Sequence, residues 1–254
     1  MFVYLNGRMI EEKNAKLDIN DTSFLRGYGI YETLRAIDGT AIRIEEHISR
    51  FFRSAKLVGL KSPLNKSEIG KTIESLLERN DLRNARIRLT LSEQNFLITT
   101  VEFISHDRKY YENGAKLVTF QAIRTMPMAK STSCVSQVIA EKYAEKKGAI
   151  DAIILEGKEV RECAGSNIFA VKKGIIYTPK TNILLGVTRQ ALIENARKKG
   201  IKLIEKDFDL TFLQKADECF ITSSMKWVMP VIEIDGKKVR DGRIGKITRI
   251  LSVF

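Results

Sequence analysis

The chain has 254 residues, 44% of them hydrophobic, and carries a formal net charge of +12 from 43 Lys and Arg against 31 Asp and Glu. That length buries a core in one large or two ordinary domains, no apolar run approaches the ~18 residues of a membrane helix, and two histidines exclude a multi-histidine metal site. The positive charge is interleaved with acids, as in Glu141-Lys142-Tyr143-Ala144-Glu145-Lys146-Lys147, which marks a solvated lysine-rich surface and argues against a nucleic-acid-binding face.

In chain order, Phe2 to Asn6 and Arg8 to Ile10 flank Asn6-Gly7, a hairpin signal, so the N-terminus reads as a first strand and not as a signal peptide. Ile30 to Ala36 and Ala41 to Ile44 flank Asp38-Gly39 as a second hairpin. Glu45 to Leu57 is a helix, with Ile48, Phe51, Phe52 and Ala55 at helical spacing and Gly59 as its stop. Lys66 to Asn80 is another, with Ile69, Ile73, Leu76 and Leu77 on one face. Ala85 to Leu91 and Thr99 to Ile104 are strands, and the polar Ser105-His106-Asp107-Arg108 marks a boundary between domains 1–106 and 107–254. The second domain opens with strand Ala115 to Ala122, then a helix within Lys130 to Lys147 that stops at Gly148. Strands follow around Ala152 to Leu155, Asn167 to Val171 and Ile175 to Thr178, then helix Thr188 to Lys199 and strands Lys202 to Lys206 and Glu218 to Thr222. Asp235-Gly236 signals a third hairpin, and helix Ile244 to Val253 closes the chain. Hairpins mixed with helices, and no Gly-x-Gly-x-x-Gly or Walker motif, argue an α+β fold over a doubly wound sheet.

Two segments carry the chemistry. Lys130 heads Lys130-Ser131-Thr132-Ser133-Cys134-Val135, and Glu162 heads Glu162-Cys163-Ala164-Gly165-Ser166-Asn167 before a strand. An amine can hold an aldehyde and move a proton, and a carboxylate can keep a ring nitrogen protonated. Taken singly, either residue reads as surface or turn. Arg50 lies in Glu46-His47-Ile48-Ser49-Arg50-Phe51, and a guanidinium there could grip a phosphate with two parallel bonds. Arg53, three residues on, suits the exposed side of the same helix. Gly186-Val187-Thr188-Arg189 opens a helix whose first amides suit an anion, although Thr188 also reads as an ordinary cap. Thr222-Ser223-Ser224-Met225 is a polar turn after a strand, and Tyr31 is either a core strand tyrosine or a pocket aromatic.

In order and spacing these segments resemble the class IV aminotransferases, the fold-type IV pyridoxal-phosphate enzymes. These include branched-chain and D-amino-acid aminotransferases and aminodeoxychorismate lyase. The resemblance runs from Tyr4-Leu5-Asn6-Gly7 to Asp241-Gly242-Arg243-Ile244-Gly245-Lys246-Ile247-Thr248. It implies a small N-terminal α/β sandwich domain, a larger C-terminal pseudo-barrel domain, and pyridoxal 5′-phosphate between them. It makes Lys130 the catalytic lysine. It assigns Glu162 to the pyridine nitrogen, Leu184 to the cofactor ring, and Arg50, Val187, Thr188, Ser223 and Ser224 to the phosphate. Tyr31 and Met225 fall in the substrate pocket.

The implied reaction moves an amino group between an amino acid and a 2-oxo acid. The alternative is elimination from aminodeoxychorismate to 4-aminobenzoate and pyruvate, and a remote alternative is a non-catalytic basic binding protein. The resemblance also implies a homodimer. Cys134, Cys163 and Cys219 match no zinc or redox spacing, so they read as reduced thiols in a cytoplasmic protein. The D-amino-acid and lyase branches carry an Arg-Gly-rich loop after the strand Ile87 to Leu91. This chain has only Ser92-Glu93-Gln94-Asn95-Phe96 there, so the substrate carboxylate lacks that arginine and loose substrate selection is expected.

Overall fold

The computed structural model describes residues 1–252. The expected α+β class holds, and its strands fall into two sheets. The chain forms two compact units. One comprises Met1–Ser105 with Met128–Cys134, the other His106–Pro127 and the chain from Val135 onward.

In the first unit, β1 (Phe2–Leu5), β2 (Arg8–Glu11), β3 (Ile30–Ile37), β4 (Thr40–Ala41), β5 (Ala85–Leu91) and β6 (Phe96–Glu102) form a sheet in the order β2-β1-β6-β5-β3-β4. The Asn6-Gly7 turn has φ of 48° and 91°, the mirror-image turn that matches the twist of a hairpin. The sheet alternates cleanly. Leu34, Ile87, Leu89 and Ile98 face the core, while Arg86 and Arg88 on β5 face outward. Helices α1 (Thr22–Arg26), α2 (Ile44–Val58) and α3 (Lys66–Arg79) complete the unit. Ile48, Phe51 and Ala55 of α2 and Ile69, Ile73, Leu76 and Leu77 of α3 cover the buried sheet face. Glu45 and Glu46 suit the first turn of α2, and Asn65 and Glu68 form a capping box on α3.

In the second unit, α4 (Lys109–Asn113) precedes β7 (Ala115–Gln121), α5 (Val135–Lys146), β8 (Asp151–Glu156), β9 (Glu159–Cys163), β10 (Asn167–Lys172) and β11 (Ile175–Thr178). Then follow α6 (Val187–Lys198), β12 (Leu203–Glu205), β13 (Phe208–Asp209), α7 (Leu210–Gln214), β14 (Glu218–Ser223), β15 (Trp227–Ile234), β16 (Lys237–Lys238) and α8 (Lys246–Leu251). The sheet runs β12-β11-β10-β14-β15-β7-β8-β9-β13, with β16 paired to β15. β8 and β10 read as continuous apolar runs because both faces are covered. Phe169 and Val171 of β10 pack with Leu192, Ile193 and Ala196 of α6, and Ile168 and Ala170 pack on the opposite side with Ile221 and Val231.

The helix expected within Lys130 to Lys147 starts at Val135. Lys130 to Thr132 is extended and tied to β3. Tyr31 N donates to Lys130 O at 2.8 Å, and Thr132 N donates to Gly29 O at 2.8 Å. Lys130 falls in the Met128–Cys134 segment of the first compact unit. The strand expected from Thr99 starts at Phe96, because a tight turn over residues 92–95 lets Leu91 pair with Phe96. The closing helix spans Lys246–Leu251, and Val253, expected in it, lies outside the described residues.

Candidate functional site

The first unit brings Lys130, Tyr31 and Arg50 into one region of β3 and α2. Lys130 is anchored by its backbone: its N–H donates to Ser54 Oγ on α2 at 3.1 Å, and its carbonyl accepts from Tyr31. Its Nζ lies 4.6 Å from the centre of the Tyr31 ring. The Arg88 guanidinium lies 4.1 Å from the same ring. Arg88 was not singled out in the sequence. Its signal was the alternation of β5, which turns Arg86 and Arg88 away from Ile87 and Leu89.

Arg50 points inward and Arg53 is exposed, as the helical register required. Arg50 is already engaged. Its Nε donates to Glu32 Oε2 at 2.8 Å and its Nη2 to Glu32 Oε1 at 2.6 Å. His47 Nδ1 approaches Glu32 Oε1 at 3.1 Å. Burial works against the Glu32 charge, but the Arg50 guanidinium outweighs it and holds the carboxyl well below the usual range. Burial pushes the His47 imidazole down, Glu32 opposes this, and the charges of Arg50 and Lys130 add to it. A phosphate would therefore meet Arg50 as a guanidinium already fixed in direction by a buried carboxylate.

The turn after β5 is pinned rather than open. Ser92 Oγ and Asn95 Nδ2 donate to Asp21 Oδ2 at 2.5 and 2.6 Å. Asp21 also caps α1 through the amides of Ser23 and Phe24. Burial would raise its carboxyl, yet hydrogen bonds from Ser23, Ser92 and Asn95 bring it down to about 2.

The second unit gathers Glu162, Leu184, Val187 and Thr188. Glu162 Oε1 accepts from Arg124 Nη1 at 2.6 Å, and Oε2 accepts from Leu184 N at 3.0 Å and Asn167 Nδ2 at 3.4 Å. Asn167 Nδ2 also donates to Leu184 O at 2.8 Å, which joins the Glu162 segment to the Leu184 loop. A cavity of about 110 Å³ opens beside Glu162, Arg124, Arg161 and Asn182. Neither Leu184, Val187, Thr188 nor Ser223 lines it. The cap of α6 is Gly186, not Thr188, and no side chain caps it. Val187 and Thr188 thus stand in the first turn, where amides have no helical acceptor. Ser223 ends β14, and its Oγ accepts from Lys226 N at 3.0 Å, closing the turn that contains Ser224 and Met225. The neighbouring Thr222 hydroxyl is buried without a hydrogen-bond partner.

These halves carry an anchored lysine, a buried oriented carboxylate and a cluster of anion-type donors. The class IV amino-transferase family model matches residues 29–234, a span that contains every one of those groups. The chain belongs to the class IV aminotransferase family. This aminotransferase is 36% identical over 266 residues to the D-alanine aminotransferase of Staphylococcus epidermidis, covering 98% of this chain and 94% of the relative. Its fold matches the branched-chain amino acid aminotransferase of Escherichia coli with a TM-score of 0.93 at 25% identity, covering 98% of this chain and 91% of the other. The T.th. branched-chain amino acid aminotransferase with pyridoxamine 5′-phosphate matches with a TM-score of 0.92 at 25% identity, covering 99% and 91%. The class IV aminotransferase reading of the sequence stands on these findings, and the lyase alternative receives no support from them.

Proposed function

We propose that this aminotransferase works with pyridoxal 5′-phosphate and moves an amino group between an amino acid and a 2-oxo acid. The observation that carries the reading is Glu162: a buried carboxylate held by Arg124 and the Leu184 amide, in the same unit as the amides of Val187 and Thr188. The residues suit the group. The first turn of α6, the hydroxyls of Ser223 and Ser224 and the unpartnered Thr222 hydroxyl make a donor set for a phosphate. In the first unit Arg50 is a guanidinium of fixed direction, and in the second Leu184 is a buried apolar side chain suited to a ring. The branched-chain relative described with pyridoxamine 5′-phosphate supports the same cofactor.

Bound there, pyridoxal phosphate supplies an electron sink for the pair left when the substrate's α-carbon loses a proton. The chain does the rest. Lys130 Nζ is the amine that takes and returns that proton. Glu162 keeps the ring nitrogen protonated, and Arg124, 2.6 Å from its Oε1, holds the carboxylate in direction. Tyr31 and Met225 bound the substrate. Arg88, stacked on Tyr31 and in no ion pair with a described acid, meets a substrate carboxylate in place of the missing loop arginine. We further infer a homodimer in the cytoplasm. Apolar side chains stand exposed at Ile19 and Phe24 in one unit and Val135 in the other, and no disulfide joins the described cysteines.

The test is Lys130→Ala with a panel of D- and L-amino acids and 2-oxo acids. The wild type shows the visible absorbance of bound cofactor and transaminates at least one donor. The variant loses both, along with borohydride-stable attachment of the cofactor. Attachment that survives the substitution removes Lys130 from the reaction.

A further inference from the structure

Lys226 holds a position that stability alone does not account for. It follows the Ser223-Ser224-Met225 turn, and its Nζ donates to Asp151 Oδ2 at 2.9 Å. The lysine side chain is 14% exposed and the aspartate 0%. A buried ion pair seldom stabilises a fold more than apolar residues of equal volume, because desolvating both charges offsets their attraction. The pair becomes intelligible through its other partners.

Asp151 Oδ2 also accepts from Ser166 Oγ at 2.8 Å, and Oδ1 accepts from the amides of Gly165 at 3.2 Å and Ala152 at 2.9 Å. Gly165 and Ser166 form the turn that follows Glu162, and Cys163 N closes that turn on Ser166 O at 2.7 Å. At the other end, Lys226 N donates to Ser223 Oγ, and Tyr111 OH donates to Lys226 O at 3.0 Å. One aspartate therefore receives donors from the turn beside Glu162 and from the residue that closes the Ser223 turn. The next residue, Trp227, has φ of 57°, a left-handed conformation costly for a bulky side chain, which persists only where the surroundings enforce it.

We propose that Lys226 and Asp151 are positioning residues. Their ion pair clamps the Ser223–Ser224 turn to the Gly165–Ser166 turn, so that the phosphate donors and the Glu162 carboxylate keep one fixed spacing. The inference rests on the cofactor reading above. It assigns Lys226 no contact with the cofactor. Its role is to hold Ser223 where the phosphate needs it and, through Asp151, to hold the turn that aims Glu162.

Trp227 is the only tryptophan of the chain and adjoins Lys226, so its fluorescence reports this turn. Full-length protein stripped of cofactor is titrated with pyridoxal 5′-phosphate, and separately with inorganic phosphate as a probe of the turn alone. Lys226→Met is expected to weaken pyridoxal phosphate by about 10–100-fold, the scale of loss when groups that orient the side chains of a metal site are removed. Inorganic phosphate weakens in parallel. Lys226→Arg, which keeps the charge, restores affinity to within a few-fold. Thermal unfolding separates this from general damage, since the affinities are compared well below the melting transition of each variant. Should Lys226→Met fail to fold with Asp151 left unpaired, Lys226→Met/Asp151→Asn removes both charges and is expected to show the same loss. Wild-type affinity for both ligands in either folded variant overturns the clamp while leaving the cofactor reading intact. A wild type that binds no pyridoxal phosphate overturns the reading and the clamp together.

Discussion

At Arg50 the proposed phosphate grip and the stability of the fold share one guanidinium. Glu32 is fully buried and takes two hydrogen bonds from it. Truncating Arg50 therefore leaves a buried carboxylate without its paired cation, which is expected to cost about 3–5 kcal/mol of stability. It also weakens cofactor binding by about 2–5 kcal/mol, the loss on truncating one partner of a buried charge pair. The two effects are separable. Glu32→Leu/Arg50→Leu is expected to regain most of the lost melting temperature, because no orphan charge remains, yet to stay weak for pyridoxal phosphate. Recovery of cofactor affinity in the double variant would show that Arg50 serves only Glu32. Glu162 makes the complementary case. Glu162→Gln keeps the shape but puts a neutral amide opposite Arg124 and, in the proposed site, opposite the ring nitrogen. The cofactor is expected to remain bound while α-proton exchange slows by roughly 10²-fold, the scale of a lost electrostatic contact to developing charge. An unchanged exchange rate, followed by deuterium loss from the substrate, would reduce Glu162 to a turn residue.

Element by element, α6 is where local structure and site meet most tightly. Its cap is glycine for reasons of space. A Cβ on Gly186 would lie well inside van der Waals contact of Asn167 Oδ1, with Arg189 Cβ 3.3 Å away. Asn167 cannot move without disturbing Leu184 and Glu162, to which it is bonded. Gly186→Ala is therefore expected to cost about 1–3 kcal/mol of stability, as overpacking does, and to weaken the cofactor as well. Normal affinity in a destabilised variant would separate the cap from the site. Elements were legible where a local signal was strong. Asn6-Gly7 set its hairpin, and the spacing of Ile48, Phe51 and Ala55 set α2 with Arg50 inward. They were illegible where structure rests on distant partners. Lys130 to Thr132 is extended because Tyr31 and Gly29 bond to it, and no pattern within those residues announces that. The weak face of α5, which buries only Ala140 and Ala144, gave no sharp start to its helix. β9 is short and polar in composition, so only Glu162 was seen and not the strand beneath it. Arg124 and Lys226 were overlooked because a lone cation in a lysine-rich chain carries no signal until its neighbours are known, and Arg88 because the alternation of β5 gives its face but not what it meets there.

For the molecule as a whole, the question is what covers its exposed apolar side chains. Ile19 and Phe24 are 80% and 79% exposed, and Leu17 and Leu25 in the same stretch are more than half exposed. In the second unit Val135 and Ile139 on α5 are 71% and 52% exposed. Monomers seldom leave such side chains grouped in the open, and a second copy of the chain is the partner the family resemblance implies. Charge opposes that association, since each copy carries +12. A dimer must therefore be held by apolar burial, on the order of 2,000 Å² or more for an obligate pair. Screening by salt, with a Debye length near 10 Å at 0.1 M, should tighten it rather than loosen it. Sedimentation is expected to show a dimer at micromolar concentration that strengthens from low to moderate salt. Phe24→Glu and Val135→Glu each add a charge to an apolar contact and are expected to shift it toward monomer with loss of activity. A fully active monomer, or a dimer that salt weakens, would remove apolar self-association from the account of this enzyme.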